Sequence, residues 1–259
     1  MTAPGRTGRT AGDPRSAASE GASALRTARP GLGLPGPRRA AETWSRSQLT
    51  GLSLPLGDDG VLAGTDTAGD PVVLGLFRPT PLDAVVIGSV WTAQLLAVRA
   101  VEAGAEVSVE SARPRLWAPL ASGAAAGRWR LTVYGVEEVP HREPGLRSPV
   151  LVVRDCGAQP PPSTLARAPW QAALTLLPFL GPQAGELAAE AELVGVQRVS
   201  PQEAEVLAGT LRLDPQQTAA LPGLDDDAVL WCTARHRRFA RLAPAPDESQ
   251  LLGEARRID

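Results

Sequence analysis

A chain of 259 residues has room for one ordinary domain with tails, or for two small domains. Hydrophobic residues make up 43%, enough for a real core, and the formal charge of −2 gives no global case for nucleic-acid binding. All 26 basic residues are Arg, so every mechanism that needs a lysine is excluded: a phosphate-gripping P-loop Lys, a Schiff base, a lysine general base.

Residues 1–45 are rich in Gly, Pro, Ala, Ser, Thr and Arg and carry almost no periodic apolar residues. Such a segment cannot bury enough surface to offset its chain entropy, so the sequence predicts a disordered tail. Within residues 1–40, seven Arg face only Asp13 and Glu20, a charge suited to weak contact with an acidic membrane surface. No apolar run follows the Arg residues as in a signal peptide, and no stretch of about 18 apolar residues spans a bilayer. A cytoplasmic protein is expected, peripheral at most to the inner face of the membrane. A single α/β domain is expected over 46–245, with a short helix or tail over 246–259.

Gly60–Asp66 and Asp70–Leu76 read as two strands joined by a turn at Thr67-Ala68-Gly69. Ala84–Gly88 is a buried strand. Val90–Ala103 follows with helical spacing and stops at Gly104, and Ala105–Glu110 is the next strand. Strand, helix and strand predict a right-handed βαβ unit with parallel strands. Leu116–Ala121 reads as a short helix and Arg130–Tyr134 as a strand. Pro149–Asp155 is an apolar strand ending on an acid, and Gln171–Leu180 is a strand interrupted by Pro178. Glu186–Ala191 is helical and Leu193–Val199 extended. Ser200-Pro201-Gln202-Glu203 and Asp214-Pro215-Gln216-Gln217 are helix starts. Ala228–Cys232 and Arg238–Leu242 form a terminal hairpin, and Glu248–Arg257 a last helix. The expected fold is α/β with a mostly parallel, three-layer sheet.

Several positions invite chemical readings. The turn after the first buried strand, Gly88-Ser89-Val90-Trp91-Thr92, is where such folds bind ligands. Gly88, Val90 and Ala93 occupy the three positions of a dinucleotide fingerprint, and Glu110 stands where a ribose-binding acid would. Val90 replaces the glycine that lets backbone approach pyrophosphate. A dinucleotide-binding protein or oxidoreductase using Gly88, Ala93 and Glu110 is therefore the second reading. A P-loop would need more glycines and a Lys; Thr92 alone matches its magnesium hydroxyl. Asp155 stands where a strand-end acid holds magnesium through water, but Cys156 follows it and not a Glu. His141 and His236 read as surface residues, and Cys156 and Cys232 as buried free thiols. Arg235, Arg237, Arg238 and Arg241 form a basic tip, and Asp225-Asp226-Asp227 a charged turn. Trp117, Trp129, Trp170 and Trp231 read as core; Trp91 would fill phosphate space. No metal set and no bound cofactor are expected.

Taken in order, these pieces resemble the FtsK/SpoIIIE family, and within it the EccC-type ATPase domains of type VII (ESX) secretion. The likeness rests on Gly64-Thr65-Asp66-Thr67-Ala68-Gly69-Asp70-Pro71-Val72, similar to the family's G-x-D-x-x-G-x-P-V hairpin. It rests also on Ala84–Thr92 in the Walker A place, Pro149–Asp155 in the Walker B place, and Ala172–Pro178 as a sensor-type strand. The closing part, Leu193–Leu230, is similar by pattern. The resemblance covers about residues 50–245 and implies a P-loop-NTPase-like (RecA/FtsK-like) core. With the Walker A lysine and glycines missing, it implies a degenerate nucleotide loop at Gly88, Ser89, Val90, Trp91 and Thr92, and a degenerate Walker B acid at Asp155. It further implies a non-catalytic binding subunit whose partner is a secretion ATPase or a substrate protein. The Arg-, Ala-, Gly- and Pro-rich usage fits a GC-rich actinobacterial genome.

Overall fold

The structure, a computed structural model, describes residues 60–127 and 130–257. The tail over 1–45, Trp44 and Trp129 lie outside the described residues.

The chain opens with an antiparallel hairpin, β1 (Val61–Thr65) and β2 (Pro71–Leu74). Its turn is built by Asp66, whose Oδ1 accepts the Ala68 and Asp70 N–H groups at 2.9 Å each. Gly69 supplies the positive φ of 86° that the turn needs. Then come β3 (Leu82–Ile87), α1 (Val90–Glu102) and β4 (Glu106–Ser111). A 3-10 turn (Pro114–Trp117) leads into α2 (Ala118–Ala125). After β5 (Leu131–Tyr134) and β6 (Val150–Asp155) comes β7 (Gln171–Leu177), ending where Pro178 removes a donor. The remainder is α3 (Ala184–Glu190), β8 (Leu193–Val196), α4 (Pro201–Leu211), α5 (Pro215–Ala220), the hairpin β9 (Ala228–Thr233) and β10 (Arg237–Arg241), and α6 (Pro246–Leu252). The helix expected at 248–257 thus starts earlier and stops at Gly253, whose φ is 72°.

One ten-stranded sheet runs in the order β2-β1-β10-β9-β8-β3-β7-β6-β4-β5. The six strands from β8 to β5 are parallel; the β9/β10 and β1/β2 hairpins extend it antiparallel at one side. The βαβ unit is a wide one. β3 and β4 are parallel, but β7 and β6 lie between them. Adjacent strands are about 4.8 Å apart, so the crossover helix α1 spans a gap of roughly three strand spacings.

The strands alternate their apolar residues between two layers, as a sheet covered on both faces must. On one face Ala84, Val86, Val107, Val109, Leu174 and Leu176 meet Leu95 and Leu96 of α1, with Trp117 and Leu120 nearby. On the other, Val85, Ile87, Val194 and Val196 meet Ala188 of α3 and Ala204 and Leu207 of α4. The two predicted helix starts are formed as capping boxes: Ser200 with Glu203, and Asp214 with Gln217. Each cap satisfies helix-end donors and is worth about 1 kcal/mol. Trp117 and Trp231 are buried, as expected, but Trp170 is only half-buried and sits at φ 63°. It ends a Pro-rich loop and does not belong to the packed sheet face.

The C-terminal helix is tied to the first one by ions. Arg99 of α1 donates to both Glu248 oxygens at 2.7 and 2.8 Å, and to the carbonyls of Leu62 and Ala243. Both side chains are less than one-tenth exposed. Burial alone would push the Glu248 carboxyl up. The Arg99 hydrogen bonds, the Ala245 N–H and the Arg99 charge outweigh it and hold the group below its ordinary range.

Candidate functional site

The Gly88 turn lies at the end of β3, between its neighbours β7 and β8. Ser89 caps α1: its Oγ accepts the Thr92 N–H at 3.3 Å. Thr92 is fully buried in that first turn, its hydroxyl 3.3 Å from Ser89 Oγ. Gly88 donates its N–H to the Leu177 carbonyl, and Gln197, the residue after β8, donates its own to Ile87. These bonds fasten the turn to both flanking strands.

The side chain that fills this turn is Gln197. It is fully buried. Its Oε1 accepts the Ser89 N–H at 2.6 Å and its Nε2 donates to the Asp226 carbonyl at 2.8 Å. A Cβ at position 88 would collide with that amide oxygen, so any larger residue there would have to displace the Gln197 amide from its two hydrogen bonds. Trp91 was expected in the phosphate space. It is buried but turned the other way, joining the α1-side core and donating its indole N–H to the Gly253 carbonyl at 3.1 Å. Val90 is partly buried against the same core, and Ala93 lies fully within it.

The C-terminal segment crosses the same end of the sheet. After Gly253, Arg257 donates to the carbonyls of Pro178 and Arg198 at 2.8 Å each. Those carbonyls follow β7 and β8, the two strands that flank β3. Arg257 therefore straddles the end of the strand that leads into the Gly88 turn.

Asp155 ends β6, one strand beyond β7. It is fully buried and accepts from three groups: Ser111 Oγ at 3.1 Å, Trp117 Nε1 at 3.0 Å, and the Arg113 guanidinium. Its negative charge is thus answered by an arginine from the loop after β4. Glu110 is not a free carboxylate either. It is 3% exposed, pairs with Arg154 at 2.6 Å and accepts the Glu137 N–H at 2.9 Å. Burial would raise its pKa; the Arg154 hydrogen bond, the Glu137 N–H and the Arg154 charge together lower it below the ordinary value. Its strand lies three places from β3, far from Gly88. A free Glu110 and an open loop over Gly88 would support a dinucleotide site; Glu110 is paired with Arg154, and the Ser89 N–H beside Gly88 is held by Gln197.

The other candidates resolve simply. Cys156 is half-buried and Cys232 buried, and both are free thiols. Burial, then the Glu110 charge, push Cys156 up to about 12, and burial pushes Cys232 up to about 11, so neither is a nucleophile at neutral pH. His141 and His236 are exposed. Three members of the basic tip are engaged: Arg237 with the Leu211 and Thr233 carbonyls, Arg238 with Asp66, and Arg241 with Asp225 and Asp227. Among the described residues no three His, Cys, Asp or Glu side chains gather as a metal set, and no helix is long and apolar enough to cross a membrane. Five surface cavities range from about 110 to 710 Å³, and none of the five is lined by residues 88–92.

No family model matches the sequence, and no curated protein matches it significantly. Among solved structures, the chain is similar to VirB4 of Thermoanaerobacter pseudethanolicus, at 10% identity and a TM-score of 0.51, over 74% of this chain and 98% of that one. The core is P-loop-NTPase-like. At that identity the likeness speaks for the fold. In the sheet, β7 stands between β3, which leads into the Gly88 turn, and β6, which ends on Asp155.

Three residues of the site were not singled out from sequence: Gln197, Arg113 and Arg257. Gln197 carries the one usable signal, a lone amide directly after the apolar run Leu193–Val196.

Proposed function

We propose that this chain is a non-catalytic, ATPase-like subunit that works as a binding scaffold in a type VII (ESX-like) secretion assembly of an actinobacterium. The observation that carries this reading is Gln197. A phosphate-binding loop aims free backbone N–H groups at its ligand; here the Ser89 N–H is already taken by a buried amide. The same reading is supported by Asp155, whose charge is met by Arg113 and not left for a hydrated magnesium. It is supported again by a sequence with no lysine to bridge two phosphates. The residues present do not fit a magnesium nucleotide. The secretion setting rests on the pattern resemblance to EccC-type domains and on the shared P-loop-like fold.

In this reading the fold supplies rigidity and surface. Phe179, 52% exposed at the same end of the sheet, sits by a cavity of about 530 Å³ with Val199, Pro201 and Pro222. We place the contact with an active FtsK-type ATPase domain or a substrate protein there. The work is done in the cytoplasm, with the Arg-rich N-terminal segment toward the inner face of the membrane.

The test combines thermal unfolding with a hydrolysis assay. A ligand at 100 times its Kd stabilises a fold by about 2.7 kcal/mol, a shift of roughly 5–10 °C at this size. ATP with magnesium is expected to give neither this shift nor turnover, and Phe179→Asp to abolish co-purification with the active domain. Saturable turnover that disappears in Asp155→Asn would overturn the non-catalytic reading.

A further inference from the structure

A second place in the molecule has the make-up of a ligand site. A cavity of about 660 Å³ opens at the amino-terminal ends of β3 and β8, the far end of the sheet from the Gly88 turn. That volume lies within the range of roughly 300–1,000 Å³ found for small-molecule sites. Its apolar walls include Leu82, Val194 and Cys232. Its rim carries Arg78, Arg212, Arg235 and Arg237, with Glu192 as the one acid.

The rim charges are not alike in their surroundings. Arg78 is paired with Glu192. Arg237 donates to the Leu211 carbonyl at the end of α4 and to the Thr233 carbonyl. It thereby locks the β9/β10 turn against the helix and answers the negative end of that helix. Arg212 and Arg235 are exposed, and among the described residues neither guanidinium has a hydrogen-bond or ion-pair partner. Arg212 closes α4 in the left-handed region, at φ 53° and ψ 52°, where glycine is the ordinary residue. A side chain kept at a strained position marks a site worth reading functionally. Like charges gathered round one cavity repel each other until an anion lies among them, and guanidinium groups match both phosphate and carboxylate.

We infer that this cavity binds a small organic anion, with a phosphate or carboxylate head held by Arg212 and Arg235 and an apolar body on the Leu82 side. The inference stands apart from the scaffold reading, since the two sites lie at opposite ends of the strands.

The experiment is isothermal titration of the purified chain with ADP without magnesium and with 4-phenylbutyrate, repeated on Arg212→Gly, Arg235→Ala and the double variant. Saturable millimolar or tighter binding of ADP supports a phosphate head, and of 4-phenylbutyrate a carboxylate head. Each single variant is expected to weaken binding by about tenfold or more, the loss of one charge-assisted hydrogen bond. Arg212→Gly keeps the fold because glycine accepts the backbone angles found there. Saturable binding by neither probe, or binding unchanged in the double variant, overturns the proposal. The latter result with ADP would instead direct attention to the Gly88 end, where Gln197→Ala distinguishes the two.

Discussion

Replacing Glu248 by Ala removes the partner of a buried arginine. Arg99 keeps its carbonyl acceptors on Leu62 and Ala243 but loses both bonds to the carboxylate. Breaking a buried pair from one side costs about 3–5 kcal/mol, because the remaining charge is left in a poorly solvated place. For a domain of this size that is a fall in Tm of roughly 6–20 °C. Glu248→Gln retains a hydrogen-bond acceptor and should cost less. The pH dependence follows from the direction of the shift. A carboxyl held below its unfolded value stabilises the fold at every pH above that value, about 4.3–4.5. This contribution fades as pH falls from there through the lowered native value. Urea unfolding at pH 7 and at pH 3 should therefore show a large gap between wild type and Glu248→Gln at the first and a smaller gap at the second. Equal gaps at both, or a loss under about 1 kcal/mol for Glu248→Ala at pH 7, would refute the assignment of the α1–α6 connection to this pair.

Three further outcomes are expected. Gly195→Ala places a methyl 2.5 Å from the Trp231 ring on the neighbouring strand; overpacking of this kind costs about 1–3 kcal/mol, and a double-mutant cycle with Trp231→Leu should recover part of it. Arg113→Ala leaves the buried Asp155 charge with only Ser111 and Trp117, a loss of about 3 kcal/mol by denaturant unfolding, whereas Asp155→Asn should cost less because Arg113 is 39% exposed and can be hydrated. Cys156, pushed up to about 12, holds roughly a thousandfold less thiolate at pH 8 than a free cysteine; iodoacetamide should modify it in urea and leave it untouched in the native protein.

Local signals carried much of the architecture. Ser200 with Glu203 and Asp214 with Gln217 announced α4 and α5, because a capping box is written within four residues. Pro178 argued for a strand over Gln171–Leu180, but the strand stops at Leu177, because the proline itself has no N–H to give the ladder. Strand neighbours were another matter. Nothing in Ala84–Glu110 says that β6 and β7 insert between β3 and β4, since that order is set by partners far along the chain. The site followed the same divide. Val90, Trp91 and the missing lysine suggest a degenerate loop in the sequence. The buried amide beside Gly88 is not legible there, because Gln197 and Arg257 reach Gly88 and its flanking strands only through tertiary packing. Trp91 misled for a tertiary reason: its indole is held in the α1-side core by the Gly253 carbonyl after α6, a partner 162 residues along the chain.

The position of β3 also sets the order in which the molecule can be made. Val85 lies beside Thr175 on one side and Val194 on the other, so this central, largely apolar strand waits for both neighbours until most of the domain has been synthesised. Pairings of such long sequence separation are slow to form, and an unpaired apolar strand is prone to stick to another chain in the meantime. A truncation before β8 would keep α1 and β4 yet leave β3 with an open edge and the Gly88 turn without its amide. Such a fragment should emerge insoluble or chaperone-bound rather than as a smaller folded unit, and the ribosome must release residue 197 before residue 88 has anything to hold it.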